Sequence, residues 1–176
     1  MEIRVGDFED HEPRGAYAAL VLATSYHWLD PSDRAVRCAG HLAPGGTLIL
    51  LWHTHPPPYE GFFERVQAVY RRHVPEWEPP PSPGMMEERL RRIVAELDSS
   101  GFFAPAVRRS FDWTRLLDRA RYQSLLRTYS DHRLLPEETL AALLRDVGRL
   151  IDEKYGGRVV RPYRTELVVS RLAGSA

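Results

Sequence analysis

The chain has 176 residues, with 24 basic and 24 acidic side chains and a formal net charge of zero at pH 7. This length suits one domain with a substantial core, and the neutral balance excludes a surface that attracts nucleic acid or acidic membranes by overall charge. No apolar run approaches the roughly 20 residues of a membrane span and no leader peptide is evident, so we expect a cytoplasmic protein without nucleic-acid or membrane partners.

The first half of the chain predicts a strand, a helix and a strand in succession. Residues 2–6 alternate polar and apolar side chains and predict a short strand that ends at "GDFED". Residues 17–24 form an apolar run typical of a strand covered on both faces. The segment "DPSDRAVRCAGHL" predicts a helix with Asp30 as N-cap and Pro31 at its first position. "APGG" ends this helix, and "TLILLWH" predicts a second buried strand, which together indicate a parallel α/β unit.

The predicted helix after Asp30 carries Ala35, Val36 and Ala39 on its apolar side. It also carries Cys38, the sole cysteine, which excludes an intramolecular disulfide. No His or Asp is placed nearby in the sequence to activate the thiol as a nucleophile, so we expect Cys38 to be buried and structural.

The second half predicts helices and two closing strands. Apolar residues recur at helical spacing in "GFFERVQAVYRRHV" and in "MMEERLRRIVAELDSSGF", where Gly101 ends the second helix. "PAVRRSFDWT" predicts a strand, and residues 115–157 predict a helical insertion in two segments, the second of which begins at Pro136. "RVVRPYRTELVVSRL" predicts the last strand, and we expect one domain over residues 1–176.

Polar and aromatic side chains follow three predicted strands at the point where each strand ends. Asp7 and Phe8 follow the first strand, His27 and Trp28 follow the second, and "LWHTH" ends the third. Because ligands bind outside the carboxyl ends of the strands in open α/β sheets, this repetition predicts a binding site at one edge of the sheet. Asp7 can accept a hydrogen bond from an exocyclic amine while Phe8 covers a flat ring; the alternative is a capping aspartate and a core phenylalanine.

The histidines allow more than one interpretation. His27 has an ordinary pKa near neutrality and could act as a general base, or its ring could pack against the following helix. His53 and His55 lie two residues apart on a strand and therefore point the same way. No third ligand is close to them in sequence, so we expect no metal site.

The run "RVGDFED", followed by "YAALVLATSYHWLDPSDRAVRCAGHLAPGGTLILLW", resembles class I S-adenosylmethionine-dependent methyltransferases of the small-molecule branch related to trans-aconitate methyltransferases. The resemblance covers nearly the whole chain, most firmly residues 2–53. It implies the C-terminal portion of a Rossmann-like α/β sheet with helical insertions and a C-terminal β-hairpin. Relative to the family pattern, the chain is expected to be truncated at its N-terminus and to lack the first two strands with their glycine-rich cofactor loop.

The resemblance also implies S-adenosylmethionine as the cofactor. Asp7 would face the adenine amine, with Phe8 beside the ring. His27 would border the sulfonium and the substrate as the candidate catalytic base. The remaining cofactor-binding residues implied by the resemblance follow the second strand or end it: Ala23, Thr24, Ser25 and Trp28.

The methyl acceptor implied by the resemblance is a small organic molecule. Trp52 and His53 would shape its pocket, or merely cap the strand. Tyr122, Arg161 and Tyr163 would cover it as part of a lid, with core packing as the alternative for the aromatic stripe that contains Tyr122.

Two hypotheses of function follow. The first is S-adenosylmethionine-dependent methyl transfer by a chain that needs a segment encoded upstream, or a partner, to complete its cofactor site. The second is a non-catalytic remnant or interaction module. If the family's first two strands are missing, the strand at 17–24 has an open edge, and we expect the chain to self-associate through it.

Overall fold

The computed structural model describes residues 5–12, 17–56, 60–78 and 83–174. Within these ranges the strands form one mixed sheet in the order β1-β2-β4-β3. Their bounds are Tyr17–Ala23 for β1, Leu42–Thr54 for β2, Val107–Asp118 for β3 and Arg158–Arg171 for β4. β1 runs parallel to β2, and β2 runs antiparallel to β4. The predicted α/β class is confirmed, and the last two strands are neighbours in the sheet, as predicted.

Six α-helices occur in the described ranges, together with a short 3-10 helix at Tyr26–Trp28. The α-helices are α1 at Arg34–His41, α2 at Phe62–His73, α3 at Pro83–Ser99, α4 at Arg119–Leu126, α5 at Ser130–Arg133 and α6 at Glu137–Tyr155. None of these helices combines the length and the apolar character that crossing a membrane requires.

Helices α4 to α6 occupy most of the predicted insertion at 115–157, whose first four residues instead complete β3. The first predicted segment is divided into two helices by a turn at 127–129. The second segment is α6, which begins after Pro136 as predicted and ends at Gly156. Gly156 has a φ of 60°, a left-handed conformation that glycine adopts without strain.

The contacts divide the chain into two compact units. Unit 1 consists of Met1–Thr54, Gly84–Phe111 and Arg164–Ala176, and unit 2 consists of His55–Pro83 and Asp112–Tyr163. The core of unit 1 packs one face of β2 against α3, and its buried residues include Leu48, Leu50, Trp52, Leu90, Ile93 and Leu97. The core of unit 2 joins α2, α4 and α6, and its buried residues include Phe62, Val66, Tyr122, Leu143, Val147 and Ile151.

Helix α1 begins later than predicted, at Arg34 instead of Pro31. The carboxylate of Asp30 accepts hydrogen bonds from the backbone N–H of Ser32 at 2.8 Å and from its hydroxyl at 2.7 Å. Asp30 thereby closes a turn in front of the helix instead of capping it. Val36 was predicted on the apolar side, but its side chain is 46% exposed.

Strand β1 is not covered on both faces, which corrects the prediction made from its apolar sequence. Of its seven residues only Leu22 is buried, while Tyr17 and Val21 are 44% and 56% exposed. The reason is its position, because β1 lies at the edge of the sheet and β2 is its one neighbour among the described residues. Among the described residues, no strand pairs with the side of β1 that faces away from β2, in agreement with the predicted open edge at 17–24.

The segment "APGG" lies inside β2 and does not separate the helix from the strand. Its residues are accommodated by a register shift opposite the interval from Tyr17 to Ala19. Gly45 has a φ of 71°, and a Cβ on Gly46 would stand 2.8 Å from the carbonyl oxygen of Ala43 and 3.0 Å from that of Tyr17. The absence of a side chain at position 46 allows these backbone segments to approach one another.

The strand predicted at residues 2–6 is not observed where the structure can be described. Residues 1–4 lie outside the described ranges, and Val5 and Gly6 have no regular secondary structure. Residues 79–82 of the predicted loop "PEWEPPPSPG" likewise lie outside the described ranges.

Candidate functional site

The turn that follows β1 is anchored by Tyr26, whose side chain is fully buried. Its hydroxyl donates a hydrogen bond of 2.7 Å to Oε1 of Glu96 on α3. Nε of Arg34 donates to the same oxygen at 2.8 Å, the second guanidinium branch pairs with Oε2, and the guanidinium lies 4.6 Å from the centre of the Tyr26 ring. Burial and the neighbouring Glu96 raise the pKa of Tyr26, so the hydroxyl stays protonated.

This anchoring network escaped the sequence analysis. Tyr26 and Arg34 are 8 residues apart, and Glu96 lies 70 residues beyond Tyr26. No local pattern connects positions so distant in sequence. The network nevertheless determines where the next residues, His27 and Trp28, are placed.

His27 is held by a buried indole. Nδ1 of His27 accepts a hydrogen bond of 3.2 Å from Nε1–H of Trp52. Trp52 is 1% exposed and belongs to the core of unit 1, whereas His27 is half-buried. Burial lowers the pKa of His27, and the positive charges of Arg89 and Arg34 lower it further. The imidazole is therefore neutral at neutral pH.

The backbone reverses at Thr24, directly after the last residue of β1. Thr24 has a φ of 54°, a left-handed conformation that is strained for a β-branched residue, and its N–H donates to the carbonyl oxygen of Leu51 at 2.7 Å. Ala23 and Thr24 are exposed and Ser25 is half-buried. These three predicted cofactor residues thus lie at the carboxyl end of β1. Strain of this kind is concentrated at functional sites.

Trp28 is the most exposed ring at this end of the strand. Its side chain is 80% exposed, and its ring centre lies 4.8 Å from that of His27. The two rings that the sequence singles out are therefore neighbours. The indole of Trp28 therefore lies beside His27 with most of its surface open to solvent.

Trp52 and His53 follow each other along β2 and therefore point to opposite faces of the sheet. Trp52 lies in the core and meets His27, as described above. His53 is exposed, and its Nδ1 lies 3.0 Å from the hydroxyl oxygen of Thr165 on β4. The structure therefore does not bring the two together as walls of one pocket.

The ring of Phe8 does not lie at the carboxyl end of β1 with His27. The ring of Phe8 lies 4.9 Å from that of His41, which itself lies 6.4 Å from the ring of Tyr17, the first residue of β1. Phe8 is thus near the amino end of β1, whereas His27 follows its carboxyl end. Asp7 accepts a hydrogen bond of 3.0 Å from the N–H of Glu9. This placement supports the alternative of a capping aspartate and a packed phenylalanine.

In unit 2, three residues that were predicted to bind the methyl acceptor lie close together: Tyr122, Tyr163 and Arg161, whose guanidinium lies between them. Nη1 of Arg161 donates to the hydroxyl of Tyr122 at 3.3 Å, and the guanidinium carbon lies 5.1 Å from the ring centre of Tyr163. The rings of Phe63 and Tyr129 lie 5.7 Å and 6.0 Å away. We call these five residues the arginine cage.

The charge of the arginine cage is not neutralised within the described part of the chain, where no carboxylate lies within ion-pair distance of Arg161. Burial disfavours the charge of Arg161, but the surrounding tyrosine hydroxyls raise its pKa. Tyr122 is 2% exposed, and burial raises its pKa to about 12. Tyr129 belongs to the same aromatic stripe as Tyr122, which was predicted to lie over the acceptor with Arg161. Phe63 was not predicted as a neighbour of Arg161, because it lies on α2, far from Arg161 in the sequence.

Cys38 and His55, the other side chains considered for chemistry, are both held by the surrounding protein. Cys38 is buried as predicted, and burial raises the pKa of its thiol to about 12. Nδ1 of His55 lies 3.0 Å from the carbonyl oxygen of Pro162, and burial lowers the pKa of His55. Across the described ranges, no group of three or more His, Cys, Asp or Glu side chains is arranged to hold a metal ion.

No protein-family model and no curated protein sequence matches the chain. Among solved structures, a candidate type II methyltransferase from Anaeromyxobacter dehalogenans matches with a TM-score of 0.52 and 15% identity, over 93% of this chain and 68% of that chain. A candidate methyltransferase from Bacillus halodurans C-125 matches with a TM-score of 0.45 and 13% identity, over 94% and 69%.

A third similar structure is the phosphoethanolamine N-methyltransferase 2 of Haemonchus contortus, in complex with phosphomonomethylethanolamine and S-adenosylhomocysteine. It matches with a TM-score of 0.44 and 11% identity, over 97% of this chain and 37% of that chain. The chain thus spans about two thirds of the length of the first two structures and little more than a third of this one. The similarity to the Anaeromyxobacter protein shows the fold: the mixed four-stranded sheet and its helices have the architecture of a methyltransferase domain.

Proposed function

We propose that the chain takes part in S-adenosylmethionine-dependent methyl transfer to a small organic acceptor, at the carboxyl end of β1. The observation that carries the proposal is the group of Thr24, His27 and Trp28 at this end of a sheet with a methyltransferase architecture. Ligands of open α/β sheets bind outside the carboxyl ends of the strands. Backbone strain at Thr24 and an exposed indole at Trp28 support the same location.

The residues at the carboxyl end of β1 fit the methionine portion of the cofactor better than its adenine. Ala23, Thr24 and Ser25 offer backbone groups at the strand end, where the methionine portion of the cofactor would bind, and Trp28 would cover the sulfonium. Phe8 lies toward the other end of β1, so the adenine ring would need another aromatic partner. When bound, the cofactor supplies a methyl group already activated by its sulfonium charge. The protein then contributes mainly alignment and exclusion of water.

The arginine cage gives unit 2 a candidate anchor for the acceptor. A guanidinium among aromatic rings can hold an acidic group through charge-assisted hydrogen bonds while the rings contact its carbon skeleton. Arg161 has no carboxylate partner within the described residues, so its charge is available for such a ligand. We therefore propose that unit 2 by itself binds small molecules with an acidic group, through Tyr122, Arg161 and Tyr163.

Calorimetric titration of the 176-residue chain with S-adenosylhomocysteine tests the proposed function. We expect binding. Trp28→Ala should weaken the binding of S-adenosylmethionine about tenfold, since a cation–π contact between the sulfonium and the indole is worth about 1–2 kcal/mol, and it should weaken the binding of the uncharged S-adenosylhomocysteine less. Phe102→Ala is a matched control, because Phe102 is also an exposed ring of unit 1, at 41% exposure, but lies outside the proposed site. A folded chain that does not bind S-adenosylhomocysteine would contradict the proposal.

The open edge of β1 favours a second candidate, an interaction module that associates through this strand. Tyr17 and Val21 are exposed there, and an unpaired strand edge is a template for pairing with another chain. We expect light scattering to show self-association that Val21→Lys reduces, because a charged side chain on an edge strand opposes pairing. A wild-type chain that is a clean monomer at working concentration would rule out this module.

A further inference from the structure

We propose that Trp52 holds His27 as the neutral tautomer that carries its proton on Nε2, so that His27 donates a hydrogen bond to a ligand at the carboxyl end of β1 instead of acting as a base. The N–H of an indole only donates hydrogen bonds. Since Nε1 of Trp52 lies 3.2 Å from Nδ1 of His27, Nδ1 must offer its lone pair. A neutral imidazole has one N–H, which must then be on Nε2.

Trp52 is a rigid donor. It is 1% exposed, and its backbone pairs with Glu166 of β4 in the middle of the antiparallel ladder. Rotation of His27 away from Trp52 would leave a buried N–H without a partner, which is costly in a protein interior. On the other side, Tyr26 is fixed by Glu96, so the residue before His27 cannot readily shift.

The charged form of His27 is disfavoured by its surroundings as well. An imidazolium carries N–H groups on both nitrogens, so its Nδ1–H would point at the indole N–H. The charged groups that face His27 are Arg34 from α1 and Arg89 from α3, and both repel a positive charge. Glu96, the nearest carboxylate of this network, is already bound by Tyr26 and Arg34.

The consequence concerns what His27 can recognise. Its Nδ1 is occupied, and no other hydrogen bond of the ring is found within the described residues, which leaves Nε2–H on a half-buried ring beside Trp28. This group suits an acceptor atom of a ligand, such as a carbonyl, carboxylate or hydroxyl oxygen. A general base needs a free lone pair. In this tautomer Nε2 already carries a proton, and a proton taken up by Nδ1 would break the hydrogen bond from Trp52, so the inferred role differs from the general base expected from the sequence. The donor role toward a methyl acceptor rests on the proposed function, whereas the tautomer does not.

Long-range ¹H–¹⁵N NMR of the chain labelled at histidine nitrogens tests the tautomer directly. We expect a protonated Nε2 and an unprotonated Nδ1 for His27 at pH 7. A protonated Nδ1, or a charged ring at that pH, would overturn the inference. The assignment uses His27→Gln, which removes the resonances of this residue alone.

Replacing Trp52 by benzothienylalanine tests the role of the indole, because sulfur takes the place of the N–H in a ring of nearly the same shape. We expect the two neutral tautomers of His27 to become mixed and its pKa to rise toward the ordinary value of about 6.5. The same replacement at Trp28, whose ring also lies beside His27, leaves both unchanged. An unchanged tautomer in the Trp52 variant would refute the role of Trp52. If this variant does not fold, the wild-type spectrum still decides the tautomer.

Turnover distinguishes donor from base once a methyl acceptor is supplied. His27→Gln retains an N–H donor but no basic nitrogen, and His27→Ala lacks both. We expect His27→Gln to keep kcat/KM within about threefold and His27→Ala to lose about tenfold, the usual effect of one hydrogen bond. Equal losses of a hundredfold or more would indicate a base and contradict the donor role. A chain that binds no S-adenosylhomocysteine would refute the proposed function and leave the NMR result standing.

Discussion

Each compact unit places one arginine against aromatic rings, and the two arginines differ in their partners. In unit 1, Arg34 lies against the ring of Tyr26 and is paired with Glu96, which also accepts from the hydroxyl of Tyr26. In unit 2, Arg161 lies among the rings of the arginine cage, and the described residues place no carboxylate beside it. Removing the counter-ion of a buried charge is strongly destabilising, whereas a charge that has no counter-ion is available to a ligand.

The largest expected effect comes from removing the counter-ion in unit 1. Glu96→Ala leaves Arg34, whose side chain is only 10% exposed, without its counter-ion and leaves the hydroxyl of Tyr26 without its acceptor. We expect the free energy of unfolding to fall by roughly 3 kcal/mol in urea denaturation. The control is Glu88→Ala on the same helix, which breaks only solvent-exposed ion pairs to Arg91 and Arg92 and is expected to leave the free energy of unfolding nearly unchanged. Equal costs for the two variants would contradict the contrast between the units.

The two tyrosine hydroxyls allow a second comparison. Tyr26→Phe removes a 2.7 Å bond to a carboxylate, and we expect a loss of about 2 kcal/mol in the same measurement. Tyr122→Phe removes only a 3.3 Å bond from Arg161, and we expect a loss below about 1 kcal/mol. A larger cost for Tyr122→Phe would show that the arginine cage is held together by its polar contacts.

Alkaline pH should affect the buried tyrosine of the cage. Burial raises the pKa of Tyr122 to about 12, above the ordinary value of 10.0. Below pH 10 both folded and unfolded chains keep the proton, so the stabilisation is complete; as the pH rises from 10 toward 12, the unfolded chain ionises first and stability falls. We expect urea denaturation at pH 9 and pH 11 to show this fall and Tyr122→Phe to reduce it. An identical fall in the variant would assign the pH dependence to other groups.

The smallest expected effect on stability comes from removing the charge in unit 2. Arg161→Met replaces a half-buried cation by an apolar side chain, and we expect the free energy of unfolding to change by less than about 1 kcal/mol, because the loss of one hydrogen bond is offset by the removal of a desolvated charge. Binding of benzoate, an aromatic carboxylate, should weaken at least about tenfold in calorimetric titration. Arg161→Lys keeps the charge and serves as the control. Unchanged benzoate binding by Arg161→Met would contradict the proposal that the arginine cage binds acidic groups.

Much of the fold could be predicted from the sequence because its main elements carry strong local patterns. The apolar runs of β1 and β2 flank α1, and helical spacing identifies α2, α3 and α6. The predictions are wrong where the burial or the hydrogen bonding of a residue depends on its tertiary surroundings. The apolar residues of β1 predict burial on both faces, but its place at the edge of the sheet leaves Val21 56% exposed. Asp30 predicts an N-cap, but its carboxylate closes a turn on Ser32.

The candidate site could be predicted in part for the same reason. His27 and Trp28 directly follow a strand, so their position at its carboxyl end is a property of chain order. The bond from Trp52 to His27 joins residues 25 apart, and the cage around Arg161 joins segments up to about a hundred residues apart, so neither leaves a local signal. Phe8 was misplaced because the strand thought to precede it is not observed at Val5 and Gly6.

Gly46 has a consequence for how this sequence can vary. A methyl group there would stand within 3.0 Å of two carbonyl oxygens, one from the same strand and one from the start of β1, neither of which can move without separating the two strands. Gly84, by contrast, has nothing within 4 Å of the position of a Cβ. In a library of single substitutions, position 84 should accept most side chains, whereas position 46 should accept glycine alone. Sequence change at position 46 is thus limited by the close approach of two backbone segments, at the end of β1 opposite His27.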